Sequence, residues 1–146
     1  MPPDRRERIF ANVGLDGLSA VVSALLEVGQ DRRIWLLHGD MGAGKTTLVR
    51  EFCRQLQVSD RVSSPTFSLV NEYRTSMGGR VCHFDFYRIK HEAEAFDIGT
   101  EEYLSSGDYC FVEWPEKIPS LLEGVRAEVS IRTTGDTQRT IAFFVA

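Results

Sequence analysis

The sequence predicts a three-layer α/β domain in which helices cover a largely parallel central sheet that carries antiparallel edge strands. Short apolar runs alternate with segments of helical periodicity along most of the chain, which is typical of parallel strands joined by helices. Two further strand-like runs close the chain with only a turn between them, which favours antiparallel pairing. The 146 residues, 42% of them apolar, can bury one core, so we expect residues 1–146 to form a single domain.

The first half of the chain is predicted to form a strand, a helix, a second strand and a second helix. Residues 8–12, RIFAN, can form a short strand. The apolar residues of segment 15–26 recur at helical spacing until Gly29, a residue type that commonly follows a helix. Residues 34–38, IWLLH, suit a strand that is buried on both faces, and helical spacing returns over residues 45–56.

The second half of the chain is predicted to be richer in strands. Its predicted strands cover residues 67–73, 80–86, 109–114, 127–133 and 139–145. The first two flank a turn at Gly78 and Gly79, and Pro115 ends the third. Short helical pieces are expected at residues 91–96 and 101–104. The last two strands, joined by TGDTQ, are expected to form the closing hairpin.

The composition disfavours several classes of function. With a formal net charge of −4 and a pI of about 5.4, the chain lacks the basic footprint of a protein that grips nucleic acid unaided, although contact through a complex stays open. We expect no membrane span, because no run approaches roughly 18 apolar residues, and no signal peptide, because no apolar stretch follows the charged N-terminus. Cys53, Cys82 and Cys110 form no CxxC pair, so we expect reduced core thiols in a cytoplasmic protein.

A glycine-rich loop between the strand 34–38 and the helix after it carries the strongest functional signal. Residues 39–46, GDMGAGKT, match the phosphate-binding pattern GxxxxGK[ST] in the context that the pattern requires. Glycines let backbone N–H groups turn towards phosphate oxygens, and the helix N-terminus adds positive dipole charge. Lys45 can then reach the β- and γ-phosphates, and Thr46 can coordinate Mg²⁺. The predicted nucleotide-binding residues are Gly39, Asp40, Met41, Gly42, Ala43, Gly44, Lys45, Thr46 and Thr47. The loop makes the predicted domain P-loop NTPase-like, the alternative being a turn that only caps a helix.

Two acidic residues end predicted strands at the edge where α/β sheets place ligands. Asp85 ends VCHFD and Glu113 ends YCFVE. A triphosphate site needs one carboxylate to hold magnesium and a group to orient the attacking water. Position alone leaves open which acid has which role, and Asp85 could instead cap a helix or pair with Arg88.

Two further features near these motifs are candidate parts of the site. The loop SSPTF, residues 63–67, is stiffened by Pro65, and the hydroxyl of Thr66 could sense the γ-phosphate or its metal ion, as switch loops do. A plain turn is the alternative for this loop. Trp114 follows Glu113 and could provide a stacking surface, a partner contact or core packing.

ATP is the predicted nucleotide. GTPases commonly read guanine with an Asn/Thr-Lys-x-Asp motif, and the three lysines of this chain lie in GKT, IKHE and EKIP. Because none of these stretches has the guanine-reading pattern, ATP is preferred over GTP.

Four motifs in order resemble the TsaE (YjeE) family, which comprises small bacterial ATPases needed to make the threonylcarbamoyl modification on the adenosine beside the anticodon of tRNA. The motifs are HGDMGAGKTTLVREF, SSPTFSLVNEY, HFDFYRI and FVEWPE. The resemblance runs from about residue 10 to the end of the chain. Met41 and Phe86 depart mildly from it, because leucine is usual at both positions.

The resemblance implies a role for each matched residue. Lys45 and Thr46 take the phosphate and magnesium roles, Glu113 is the second magnesium ligand, and Asp85 positions or activates the hydrolytic water. We therefore expect Asp85 and Lys45 to be catalytic. A switch-like loop and a tryptophan needed for activity are implied at Ser63, Pro65, Thr66 and Trp114. Adenine contacts are implied more loosely at residues 12–13 and 134–136.

The resemblance also implies partners. Family members use ATP and Mg²⁺ and work on a complex of TsaB and TsaD, in which TsaD carries out the transfer to tRNA. ATP binding or hydrolysis then resets the complex between turnovers, so tRNA is contacted indirectly.

Two other classes of function share the loop. A small-molecule P-loop kinase would need an acceptor pocket and usually an arginine-bearing lid, to which Arg74, Arg80 and Arg88 could contribute. A nucleotide-dependent binding module would have no turnover of its own.

Overall fold

The computed structural model describes residues 6–65 and 68–146 and has the predicted α/β architecture. In these residues one sheet contains the strands β1 Glu7–Val13, β2 Ile34–His38, β3 Val70–Arg74, β4 Arg80–Asp85, β5 Tyr109–Glu113, β6 Ala127–Thr133 and β7 Arg139–Val145. The α-helices are α1 Leu18–Val28, α2 Lys45–Gln55, α3 Ala93–Asp97 and α4 Thr100–Leu104. Short 3-10 turns lie at Leu15–Gly17, Pro115–Lys117 and Pro119–Leu121.

The sheet has the strand order β1-β7-β6-β2-β5-β4-β3. The central strands β6, β2, β5 and β4 run parallel to one another. Strands β7 and β1 extend one side in antiparallel pairing, and β3 pairs antiparallel with β4 on the other side. The prediction of a largely parallel sheet with antiparallel edge strands is therefore confirmed.

The alternation of side chains along the strands sends apolar groups to both faces of the central sheet. On one face, α1 and α2 cover Trp35, Phe111 and Phe143, and the Trp35 ring centroid lies 5.2 Å from that of Phe52 in α2. On the other face, residues such as Phe84 lie in a second core that includes Ala95 of α3. Burial on both faces explains why the central strands read as nearly continuous apolar runs.

Two element boundaries refine the sequence prediction. The helix predicted from residue 15 begins as α1 only at Leu18, because residues 15–17 form a 3-10 turn. The strand predicted over residues 67–73 is seen as β3 from Val70, and residue 67 lies outside the described residues. Cys53, Cys82 and Cys110 are free and buried, as expected of core thiols. In the described part of the chain, no helix has the length and apolar character needed to cross a bilayer.

Candidate active site

The glycine-rich loop leaves the central strand β2 and leads directly into α2. Gly42 and Gly44 have φ angles of 78° and 107°, which side chains rarely allow. A Cβ atom on Gly39 would lie 2.9 Å from the carbonyl oxygen of Ile131 in β6, so the loop packs tightly against the sheet. The backbone N–H of Ala43 donates to the Asp40 carbonyl oxygen at 3.0 Å. The loop therefore has the curled backbone that the motif predicts.

Lys45 begins α2, and its side chain is buried within the loop. Its Nζ donates a hydrogen bond of 2.7 Å to the Gly39 carbonyl oxygen and lies 3.8 Å from the centre of the Trp114 ring. Burial lowers the pKa of the Lys45 ammonium, while the nearby carboxylates of Glu113 and Asp85 oppose that shift. The ammonium is thus held by one carbonyl oxygen and one aromatic face.

Thr46 and Glu113 converge beside Lys45. The Thr46 Oγ1 donates to Glu113 Oε2 at 3.2 Å and also shares a 2.7 Å hydrogen bond with Ser64 Oγ. Glu113 is the last residue of β5 and is only 4% exposed. A hydroxyl and a carboxylate are oxygen donors of the kind that Mg²⁺ prefers. Hydrogen bonds among Thr46, Ser64 and Glu113 thus link α2, the segment before β3 and the carboxyl end of β5.

Asp85 ends β4 beside Glu113, because the two residues face each other in the parallel register of β4 and β5. Its Oδ1 accepts a 3.0 Å hydrogen bond from the backbone N–H of Tyr87. Burial raises the pKa of the Asp85 carboxyl, the Tyr87 N–H works against the rise, and the negative charge of Glu113 adds to it. Asp85 is half-buried, so it can still meet a solvent molecule at the loop. Within the described residues, no ion pair joins Asp85 to Arg88.

The loop that precedes β3 is tied to that strand. The Ser63 N–H donates to the Tyr73 hydroxyl at 3.1 Å, and that hydroxyl donates back to the Ser63 carbonyl oxygen at 2.7 Å. Asn71 donates to the same carbonyl at 2.8 Å. The predicted site residue Pro65 follows Ser64, which reaches Thr46, whereas the predicted residue Thr66 lies outside the described residues.

Trp114 is half-buried and has an unusual backbone conformation for a bulky residue. Its φ and ψ angles are 59° and 51°, in the left-handed region. Tyr87 also packs against its ring, with the ring centroids 5.0 Å apart. The next residue, Pro115, is buried and opens a 3-10 turn. In this backbone conformation the indole lies over the Lys45 ammonium, and such strain commonly marks functional sites.

A cleft of about 340 Å³ opens beside the glycine-rich loop. One wall comes from the segment between β1 and α1, and the other from the β6–β7 hairpin. Its lining includes Val13, Leu18, Gly44, Thr47, Asp136 and Ile141. Of the two segments loosely expected at the base of a nucleotide, 12–13 and 134–136, each contributes one lining residue.

Two polar residues of this region were missed by sequence reasoning. His83 lies in β4 and contacts Glu113 through Nε2, at 2.5 Å from Oε2. The position of His83 in HFDFYRI, two residues before Asp85, could have indicated that it belongs to the site, because residues two apart lie on the same face of a strand. Arg139 begins β7 and donates through Nε to the Ala43 carbonyl oxygen at 2.8 Å. Nothing local to Arg139 indicates that contact, which spans 96 residues of sequence.

The fold and the loop define the class of this protein, an α/β protein of P-loop NTPase-like architecture whose glycine-rich loop joins a central strand to a helix. Residues 15–141 match the family model described as "Threonylcarbamoyl adenosine biosynthesis protein TsaE". The chain belongs to the TsaE family, which confirms the resemblance drawn from its motifs.

Relatives and a solved structure agree with this placement. Two relatives are named tRNA threonylcarbamoyladenosine biosynthesis protein TsaE. The Bacillus subtilis protein is 38% identical over 73% of this chain and 66% of its own length. The Treponema pallidum protein is 33% identical over 83% of this chain and 86% of its own length. The Haemophilus influenzae protein is 37% identical over 67% of this chain and 62% of its own length. The match thus spans less than two thirds of the B. subtilis and H. influenzae relatives. The crystal structure of B. subtilis YdiB has a TM-score of 0.75 and 27% identity, covering 99% of this chain and 88% of that one.

Proposed function

We propose that this protein binds ATP at the glycine-rich loop, hydrolyses it slowly with Mg²⁺, and is the ATPase component of the machinery that makes threonylcarbamoyladenosine in tRNA. The observation that carries the proposal is the gathering of four polar side chains at one sheet edge. Thr46 contacts Glu113, and Asp85 is the register neighbour of Glu113. Lys45 lies close enough for both acids to affect the pKa of its ammonium. The family and the names of its members support the link to tRNA modification.

The cleft beside the loop supports the binding of a nucleoside as well as its phosphates. Its volume of about 340 Å³ and its apolar side chains Val13, Leu18 and Ile141 suit a flat aromatic base. Gly42 and Gly44 also line the cleft, which connects the base to the phosphate-binding backbone. We therefore place adenine in the cleft and the triphosphate along the loop.

The residues present fit a magnesium ion shared between protein and nucleotide. Mg²⁺ is usually held by one or two protein oxygens together with phosphates and water, and Thr46 and Glu113 would supply those protein oxygens. When bound, the ion neutralises charge on the β- and γ-phosphates during transfer. Ser64, hydrogen-bonded to Thr46, would link the loop 63–67 to the occupancy of this site.

Lys45 and Asp85 have separate tasks in the proposed hydrolysis. Lys45 leaves the Gly39 carbonyl and the Trp114 ring to contact the β- and γ-phosphates. Asp85 orients the water whose oxygen attacks the γ-phosphorus while the bond to the bridging oxygen breaks. The raised pKa of Asp85 brings it closer to that of an effective proton acceptor near neutral pH.

The proposed partners are TsaB- and TsaD-type proteins, with tRNA contacted only through their complex. The net charge of −4 supports this division, because a protein that held tRNA by itself would need a positive surface. We also propose a cytoplasmic location, which agrees with this role.

Co-purification from a bacterial lysate tests the partner assignment. Tagged protein is recovered with Mg²⁺-ATP and, in parallel, with EDTA and no nucleotide, and the Lys45→Ala variant serves as the matched control. We expect TsaB- and TsaD-type proteins to be retained by the wild type only with nucleotide, and by the variant in neither case. Recovery of neither protein under any condition would contradict the assignment.

A rate comparison separates the ATPase from the small-molecule kinase. Phosphate release from ATP is measured with the isolated protein, and then with purified partners and tRNA. We expect slow release that rises strongly with the partners present. Faster phosphoryl transfer to a small hydroxyl compound than to water would favour the kinase.

A further inference from the structure

A buried imidazole lies directly behind the proposed magnesium ligand. His83 is 0% exposed, and its Nε2 lies 2.5 Å from Glu113 Oε2. Burying two polar groups is costly unless they satisfy each other. Glu113 reaches only one other side-chain partner within the described residues, the Thr46 hydroxyl. His83 is thus the main fixed contact of a carboxylate that has few others.

The second ring nitrogen determines which way this hydrogen bond runs. Among the residues described, Nδ1 of His83 is buried and has no hydrogen-bond partner. A proton on Nδ1 would be a buried, unsatisfied donor, and it would leave an unprotonated Nε2 facing a carboxylate oxygen, so that two acceptors would meet. The proton then belongs on Nε2, which donates to the Glu113 carboxylate. His83 acts as a donor that points Oε2 in one direction.

The strand register holds this donor in place. His83 and Asp85 are two positions apart on β4, so their side chains lie on the same face of the sheet, the face that α2 covers. Glu113 lies on that face in β5. His83 is opposite Phe111 in the register, so a packed aromatic ring lies beside the imidazole. A side chain so enclosed has little rotational freedom, and it transfers that order to the carboxylate.

We propose that His83 is a positioning residue that holds Glu113 against Thr46 and thereby sets the affinity of the nucleotide-bound site for its divalent ion. This inference rests on the proposed function, because it concerns the ion that nucleotide and protein share. Groups that orient metal ligands typically change metal affinity tenfold to a hundredfold when they are removed. The expected effect is on ion binding, with nucleotide binding in the absence of metal left unchanged.

The matched variants are His83→Gln and His83→Asn. The glutamine amide nitrogen can occupy the position of Nε2 and donate to Glu113, whereas the shorter asparagine places its amide near the position of Nδ1. Mn²⁺ serves as the probe, and its binding is followed by electron paramagnetic resonance in the presence of a non-hydrolysable ATP analogue. Analogue affinity is measured separately in EDTA.

We expect His83→Asn to weaken Mn²⁺ binding about tenfold or more, and His83→Gln to stay within about threefold of the wild type. Both variants should bind the analogue normally in EDTA. His38→Asn is the control, because His38 forms a similar pair with Glu128, 2.8 Å between Nε2 and Oε1, and that pair includes neither of the proposed ion ligands. Nitrogen-15 chemical shifts of His83 should show the proton on Nε2.

Three results would overturn the inference. These are normal Mn²⁺ binding by His83→Asn, an equal loss in His83→Asn and His83→Gln with a matching loss of melting temperature, or a proton found on Nδ1. If wild-type protein binds no Mn²⁺ with the analogue, the proposed function fails instead. If His83→Asn does not fold, a His83→Gln variant that binds Mn²⁺ more than tenfold more weakly than the wild type overturns the inference, and near-normal binding supports it.

Discussion

Lys45 and Trp114 are in direct contact, with the ammonium nitrogen 3.8 Å from the centre of the indole ring. A cation over an aromatic face gains about 0.5–2 kcal/mol, more as the pair is shielded from water. The same ammonium is the group expected to meet the nucleotide phosphates. We therefore expect the phosphates of the proposed nucleotide to compete with the Trp114 ring for Lys45.

This competition predicts a fluorescence signal from one tryptophan. The chain contains two tryptophans, and Trp35 is fully buried in the core, so only Trp114 should sense the loop. Addition of Mg²⁺-ATP should change the emission of the wild type, because the ammonium leaves the indole. Trp114→Phe should abolish the change while Trp35→Phe retains it. A persistent signal in Trp114→Phe would contradict the competition.

Replacing Lys45 should weaken nucleotide binding. A hydrogen bond from a charged donor contributes about 1.5–3 kcal/mol, so Lys45→Ala should reduce ATP affinity roughly tenfold to a hundredfold. Isothermal titration calorimetry measures the effect. Lys90→Ala is the matched control, since Lys90 is exposed and outside the loop. Equal ATP affinities for the two variants would show that Lys45 does not contribute to nucleotide binding.

Replacing Asp85 should separate binding from turnover. We expect Asp85→Ala to bind ATP normally and to lose about a hundredfold or more in hydrolysis rate, because one oriented transition-state contact typically contributes about 2.7–4 kcal/mol. Asp97→Ala, at an exposed helix end, is the control. An equal loss of binding and turnover would mean that Asp85 is structural or holds the metal.

Asp85 also predicts a dependence of stability on pH. Its pKa is raised from the usual 3.8, mainly by burial. Between the pKa of the unfolded state and that of the folded state, the folded protein therefore keeps a proton that the unfolded chain has lost. The charged carboxylate therefore destabilises the fold above its folded pKa, and the penalty disappears as the pH falls towards the unfolded value. Asp85→Asn should melt higher than the wild type at pH 7, and the difference should shrink at acid pH. A difference that grows on acidification would contradict the sign of the pKa shift.

Arg139 predicts that the C-terminal hairpin supports the glycine-rich loop. Its Nε donates to the Ala43 carbonyl oxygen at 2.8 Å, and its guanidinium lines the cleft. Arg139→Ala should weaken ATP binding about fivefold and speed amide exchange in residues 40–44, since a typical hydrogen bond contributes about 1 kcal/mol. Arg132→Ala, on an exposed position of β6, should change neither. Unaltered exchange in Arg139→Ala would show that the loop keeps its shape unaided.

Much of the fold could be predicted because its information is local. Apolar alternation and helical spacing mark the strands and helices, and the loop of residues 39–46 carries its glycines within one stretch of chain. The family and the α/β class are confirmed. The assignments of Lys45, Thr46, Asp85 and Glu113 to ATP and Mg²⁺ stay predictions, as do the partners, and Thr66 lies outside the described residues.

The rest of the site depends on contacts between distant segments. His83 meets Glu113 across 30 residues, and Arg139 meets Ala43 across 96. Helical or strand periodicity reports the environment of each residue but not the identity of its neighbour. The left-handed backbone of Trp114, which places the indole over Lys45, also has no local marker, because positive φ is unusual for a bulky residue.

The sequence by itself determined the class of domain, the glycine-rich loop and the two strand-end acids, since each arises from spacing within a short segment. Only the tertiary structure decided that Thr46 and His83 both meet Glu113, and that Trp114 covers Lys45. The physical reason is that strand order and register bring those side chains together. That order depends on packing both apolar faces of the sheet, and this packing involves residues from the whole chain.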